Sequence, residues 1–115
     1  MAERRQAVAA CLAFVAALPA AAVHGASGAS EVAPARTVVI DDMQFAPARL
    51  QVGRGERIVW TNKDLVPHTV TARDGSFDSH AIAPGGSWSL VASRAGAVDY
   101  ACLYHPAMVA HLVVR

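Results

Sequence analysis

The heptapeptide Cys102-Leu103-Tyr104-His105-Pro106-Ala107-Met108 sets a thiol, an imidazole and a thioether at successive steps of three residues. A second imidazole, His68 in Val66-Pro67-His68, stands 34 positions before the cysteine. Two nitrogen donors, a thiolate and a long, weak thioether are the ligands of a trigonal copper site with an axial methionine. The mixture has a chemical reason. Cu(I) takes soft sulfur and low coordination, whereas Cu(II) prefers tetragonal nitrogen and oxygen, so a rigid site between the two changes little when an electron arrives. Three ligands on one tight loop can wrap a single ion, but the fourth has to come from a strand lying alongside, the place expected of His68. Given one cysteine, a histidine three residues on and a methionine six residues on arise by chance on the order of once in a thousand.

Taken singly, each residue has a plainer account. Cys102 would be a buried core thiol, Met108 core packing, and His68 a strand-edge histidine bonded to a backbone carbonyl. Only the set points to a metal, and its methionine disfavours a structural zinc site. His80 and His111 fit no ligand position and are expected on the solvated surface, Trp60 and Trp88 anchor a core, and Met43 packs.

These ligands need strands to hold them. From Thr37 onward the chain alternates short runs rich in Val, Ile, Thr, Trp and Tyr with turn signals at Gly53-Arg54-Gly55, Asn62-Lys63-Asp64, Arg73-Asp74-Gly75 and Pro84-Gly85-Gly86. This is an all-β pattern, expected to form a small antiparallel Greek-key β-sandwich of about 7–8 strands. Side-chain alternation turns Ile58 with Trp60, His68 with Val70, Trp88 with Leu90, and Tyr100 with Cys102 toward the core, and sends Thr69 and Thr71 to the opposite face. His68 and Cys102 thus point inward from the ends of apolar strands.

The first thirty residues have a different character. A basic start with Arg4 and Arg5 runs into an alanine-rich apolar stretch from Ala7 to Val23, followed by small residues to Ser30. This is expected to be a secretory signal peptide and short linker over residues 1–30, with an uncleaved membrane anchor as the alternative. Residues 31–115 then form one domain, too small for two cores. Export implies a periplasmic location, with no membrane span after cleavage. From Glu31 the chain has eight Lys/Arg and eight Asp/Glu, without the basic surplus that nucleic-acid binding needs. With Cys11 in the leader, the domain keeps Cys102 alone. In an oxidising compartment an unpaired thiol is buried, reactive or held by a metal.

On Gly55-Glu56-Arg57-Ile58-Val59-Trp60-Thr61-Asn62-Lys63-Asp64-Leu65-Val66-Pro67-His68-Thr69-Val70, on Ala83-Pro84-Gly85-Gly86-Ser87-Trp88-Ser89-Leu90 and on the ligand loop, the chain resembles the cupredoxins, and among them the amicyanin-like and plastocyanin-like blue copper proteins. The resemblance implies one type 1 copper held by His68 and His105 through Nδ1, Cys102 through its thiolate and Met108 axially. The two-residue spacing between ligands is the short amicyanin form. It departs from the family at Thr69, where asparagine is common, and at Tyr104, where amicyanins carry proline; Leu103 has no side-chain hydrogen bond to return.

The expected function is a one-electron carrier and not an enzyme, cycling copper between a donor dehydrogenase or cytochrome and an acceptor c-type cytochrome that contact the surface around His105. A monomer is expected. The alternative is a copper-binding or delivery protein on the same fold. Copper enzymes of this kind need further histidines, commonly in His-x-His pairs, for a second copper, and the chain has none of these pairs.

Overall fold

The structure, a computed structural model, describes residues 11–20 and 34–115. Of the expected leader, only residues 11–20 fall among these; they are exposed and carry no regular structure. Among the described residues no helix is long and apolar enough to cross a membrane.

The alternating runs become eight strands: β1 (Arg36–Asp41), β2 (Gln44–Ala46), β3 (Arg49–Val52), β4 (Arg57–Asn62), β5 (Thr71–Ala72), β6 (Ser87–Val91), β7 (Gly96–Cys102) and β8 (His105–Val114). They form two four-stranded sheets, ordered β2-β1-β4-β6 and β3-β8-β7-β5. The all-β sandwich and its strand number are as expected, but the sheets are mixed rather than wholly antiparallel. β1 runs parallel to β4 and β3 parallel to β8. The chain leaves β1 through short β2, crosses to the second sheet as β3, and returns as β4 beside β1 in the same direction. As a result β1 and β4 finish at one end of the sandwich, where β7 also finishes and β8 begins.

Alternation places the core. Val38 and Ile40 of β1, Ile58 and Trp60 of β4, Tyr100 and Cys102 of β7, and Ala110 and Leu112 of β8 are buried between the sheets. Each large apolar side chain so enclosed contributes about 1.5–3 kcal/mol. Trp60 is central: its ring lies 5.4 Å from Trp88 and 5.7 Å edge-on from Tyr100. Trp88 is only partly buried and packs against this core from the edge strand β6. The indole of Trp60 donates to the Tyr100 hydroxyl at 3.2 Å, so both polar handles of the aromatic core are satisfied without water.

Burial raises the Tyr100 phenol from its ordinary 10.0 to about 12, against a smaller lowering from the Trp60 hydrogen bond. A raised folded-state value favours the neutral phenol, so its contribution to stability is whole below pH 10 and is lost as pH climbs toward about 12. In ultraviolet difference titration Tyr100 should therefore ionise near pH 12. Tyr100→Phe should delete that step and, by orphaning the Trp60 donor, lower unfolding free energy by about 1–3 kcal/mol in urea.

Candidate metal centre

The ligand loop is tighter than its spacing implies. Cys102 ends β7 just past a register shift after Ala101 and pairs directly with His105, the first residue of β8. Only Leu103 and Tyr104 form the turn, and Pro106, Ala107 and Met108 already belong to β8. Met108 is buried in phase with Ala110, Leu112 and Val114, on the face of β8 that meets the core. It also lines a cavity of about 240 Å³ with Met43, Phe45 and Ala107. Met43 itself is 38% exposed, not packed away as expected.

His68 arrives from the segment after β4, and Asn62 organises that segment. Asn62 is fully buried. Its Nδ2 donates to the carbonyls of Val66 at 2.9 Å and Ile82 at 3.0 Å, and its Oδ1 accepts the Asp64 N–H at 3.0 Å. The Gly85-Gly86 turn closes over the same residue, since Gly85 N–H donates to Asn62 O and Asn62 N–H to Gly86 O. A Cβ on Gly86 would lie 2.9 Å from the Ala83 carbonyl oxygen, so glycine is needed there. His68 is then pinned through its backbone, donating to Ile82 O at 3.2 Å and accepting from Ile82 N–H at 2.7 Å.

Three predicted ligands converge. The Cys102 Sγ lies 3.6 Å from His68 Nδ1 and 3.7 Å from His105 Nδ1. One ligand atom from each of the three lies within 4.8 Å of the other two. A trigonal first-row metal, with bonds of about 2.0 Å to nitrogen and 2.3 Å to sulfur at 120°, places sulfur and nitrogen about 3.7 Å apart. The donor set and its spacing therefore fit a soft, three-coordinate ion. His68 and Cys102 are buried and His105 is partly exposed, so one imidazole edge reaches solvent.

Both nitrogens of His68 are committed. Nδ1 faces the thiol, and Nε2 donates to Asp64 Oδ2 at 2.7 Å. The carboxylate selects the tautomer that leaves Nδ1 with its lone pair. Asp64 also accepts the N–H of Asp42 at 2.8 Å and of Met43 at 3.0 Å, two residues of the β1–β2 turn in the left-handed region. Burial works against its charge, but the donors from Met43, His68 and Asp42 outweigh it and hold the carboxyl below its usual 3.8.

Thr69 departs from its expected outward face and is buried. Its backbone N–H donates to Cys102 Sγ at 3.3 Å, and its hydroxyl accepts the Leu103 N–H at 2.9 Å. Leu103 has no side-chain bond to give, and its backbone supplies the tie instead. The Thr69 hydroxyl also meets that of Thr71 at 3.0 Å, and Thr71 meets Asp78 Oδ1 at 3.1 Å. Thr71 is the donor in both contacts, so its single hydroxyl hydrogen is shared between Thr69 Oγ1 and the Asp78 carboxylate, and Thr69 accepts from Thr71 as well as from Leu103. Asp64, Thr71 and Asp78 thus support the site without having been picked out, and Thr69 was noted only as a departure from the family pattern. The one visible signal was the carboxylate four residues before His68. His80 is exposed beside Asp78, and His111 pairs with Asp99 on the outer face, so neither joins the cluster.

A two-sheet sandwich that gathers an imidazole, a cysteine sulfur and a second imidazole at one end is the architecture of the blue copper proteins. The Cupredoxin-like domain family matches residues 7–114, and the chain belongs to the cupredoxins, a copper-binding class of electron-transport proteins. Amicyanin-alpha of Methylorubrum extorquens is 31% identical over 116 aligned positions, covering 90% of this chain and 98% of that protein. Amicyanin of Paracoccus denitrificans is 32% identical over 93 positions, covering 76% of this chain and 71% of the relative. The solved Cu(I) form of an amicyanin variant superposes with a TM-score of 0.68 at 30% identity, over 74% of this chain and 87% of that one.

Asp64→Ala removes three hydrogen bonds to one carboxylate at once. The purified domain should lose about 2–4 kcal/mol of unfolding free energy. Nitrogen-15 shifts of the His68 ring should change from a single Nε2–H tautomer to a mixture, and an unchanged ring spectrum would remove Asp64 from this role.

Proposed function

We infer that this cupredoxin is a periplasmic one-electron carrier, with copper held by His68, Cys102, His105 and Met108. The observation that carries the reading is the triad of His68 Nδ1, Cys102 Sγ and His105 Nδ1 within 4.8 Å of one another at the closed end of a rigid sandwich. Copper in that position supplies a Cu(II)/Cu(I) couple; the chain supplies the constraint. His68 is held through its backbone and through Asp64, and Cys102 by strand pairing and the Thr69 N–H, so neither needs to move when charge changes. Met108 offers its thioether from the core-facing side of β8, three residues beyond His105. The leader signature in residues 1–30 supports export, with residues 31–115 as the exported domain.

His105 gives electrons a way out. Apart from Val91, the exposed large apolar side chains among the described residues of the domain are Met43, Leu65, Val66, Leu103, Tyr104 and Val109. They lie on the turns that build the site or just beyond on β8. An apolar surface around a partly exposed ligand suits brief contact with redox proteins, a donor dehydrogenase or cytochrome on one side and a c-type cytochrome on the other.

Cu(II) added to the purified domain should produce an intense blue thiolate-to-copper band that reduction bleaches, and a colourless complex would refute the reading. Cys102→Ala should abolish the band in a domain that keeps its far-ultraviolet β spectrum. Rapid electron self-exchange, with copper retained against an acceptor chelator, is the outcome expected of a carrier. Slow exchange with ready copper release would instead make it a copper-delivery protein.

A further inference from the structure

The topology sorts the charged side chains by end. β1 and β4 finish at the site end, which brings Asp41, Asp42, Lys63 and Asp64 there, and the Thr71 link brings Asp78. Lys63 is the one Lys or Arg at this end among the described residues. Four aspartates against one lysine leave a net charge of −3. The arginines fall elsewhere. Arg36 and Arg57 begin β1 and β4, Arg54 bonds to Arg115 past the end of β8, and Arg94 lies between β6 and β7. Arg49 pairs with His111, six residues along β8 from His105, and Arg73 bonds at mid-strand to Asp99. Among the described residues, seven arginines against Glu56, Asp74 and Asp99 leave the middle and far end at +4.

A domain close to neutral overall is therefore strongly polar along its length, with the negative end carrying the apolar patch. The negative groups flank that patch on both sides. Asp41 ends β1 and Asp42 opens the exposed β1–β2 turn next to Met43, and Asp78 lies across the site beside β5. Asp78 is held ionised by the His80 N–H, with the Thr71 hydroxyl and the His80 ring adding to it against a desolvation penalty. Asp64 is turned inward on His68.

We propose that the surface around His105 is an acidic-rimmed docking face for redox partners whose own redox centre is ringed by lysine or arginine. This rests on the carrier reading and adds the chemistry of the partner. The charge separation turns the site end toward a cationic partner before contact, and repels an acidic one at the same face. The apolar centre then makes the short-lived contact through which the electron passes.

The test uses the copper-loaded, reduced chain, isotope-labelled, titrated with a basic and with an acidic c-type cytochrome. The basic cytochrome should shift the amide signals of Asp42, Leu65 and Leu103, and the shifts should fade as salt rises above about 0.1 M, where the screening length is about 10 Å. Asp41→Lys combined with Asp42→Asn, the second chosen because asparagine tolerates the left-handed backbone, should weaken low-salt binding by about tenfold. Arg94→Glu at the far end should change it less than twofold. Equal or tighter binding of the acidic cytochrome, salt-independent binding, or an unchanged affinity in the double variant would each overturn the proposal. The blue band of the same sample reports separately on the carrier reading, and repeating the titration without copper reads the surface charge alone.

Discussion

The site end of this molecule depends on a buried imidazole with neither nitrogen free. His68 is inaccessible to solvent. An imidazole in an apolar interior with an unbonded N–H pays the desolvation cost of that group. The Asp64 carboxylate removes the penalty and, by accepting the Nε2–H hydrogen bond, leaves the Nδ1 lone pair turned toward Cys102. Asp64 in turn needs donors of its own. It finds them in the backbone of the β1–β2 turn, whose residues Asp42 and Met43 adopt φ of 51° and 59° to present their N–H groups. Backbone strain at one hairpin and the ring orientation of His68 are two ends of one hydrogen-bonded unit.

That unit works because of how the sandwich is wound. Parallel pairing brings the ends of β1 and β4 side by side, with Lys63 N–H bonded to Ile40 O at 2.8 Å. The turn after β1 can then reach the loop after β4. In the other sheet, the antiparallel β7–β8 hairpin narrows to two turn residues between Cys102 and His105. Two rigid edges meet there, one supplying His68 and the other Cys102 and His105. The buried polar side chains in this region all have partners, so holding three donor atoms together leaves no orphaned group among the described residues.

Much of this was legible in the chain. Alternation correctly turned Ile58, Trp60, Tyr100 and Cys102 inward, because a strand with one buried face writes its period of two into the sequence. It failed at Thr69, where the chain between His68 and Val70 is held by an isolated pairing with Ile82 rather than by a ladder. There, three consecutive residues are buried, and period-two reasoning assigns the middle one to the wrong side. The parallel pairings and the reach of Asp64 to the β1–β2 turn were not legible, since they depend on contacts from about twenty to about sixty residues apart in the chain with no local signature. The donor spacing needed no such help, as chemistry restricts which residue types can share an ion.

Thr69 also shows how a departure from the family pattern can keep its mechanical role. What the turn after Cys102 requires is an acceptor at the Leu103 N–H, and a short hydroxyl provides one at 2.9 Å. A hydroxyl rotates, however, where an amide has a separate acceptor and donor in a fixed plane. The oxygen is held by what it accepts, because the Leu103 N–H and the Thr71 hydroxyl both donate to it, and the Thr71 hydroxyl also reaches Asp78 Oδ1 at 3.1 Å. Two donors converging on Thr69 Oγ1 keep its acceptor face on the turn. A smaller side chain does this work only as part of a longer chain of bonds, and that chain ends on a carboxylate of the acidic rim. The stiffness of the turn between Cys102 and His105 and the charge displayed to a partner consequently share Asp78.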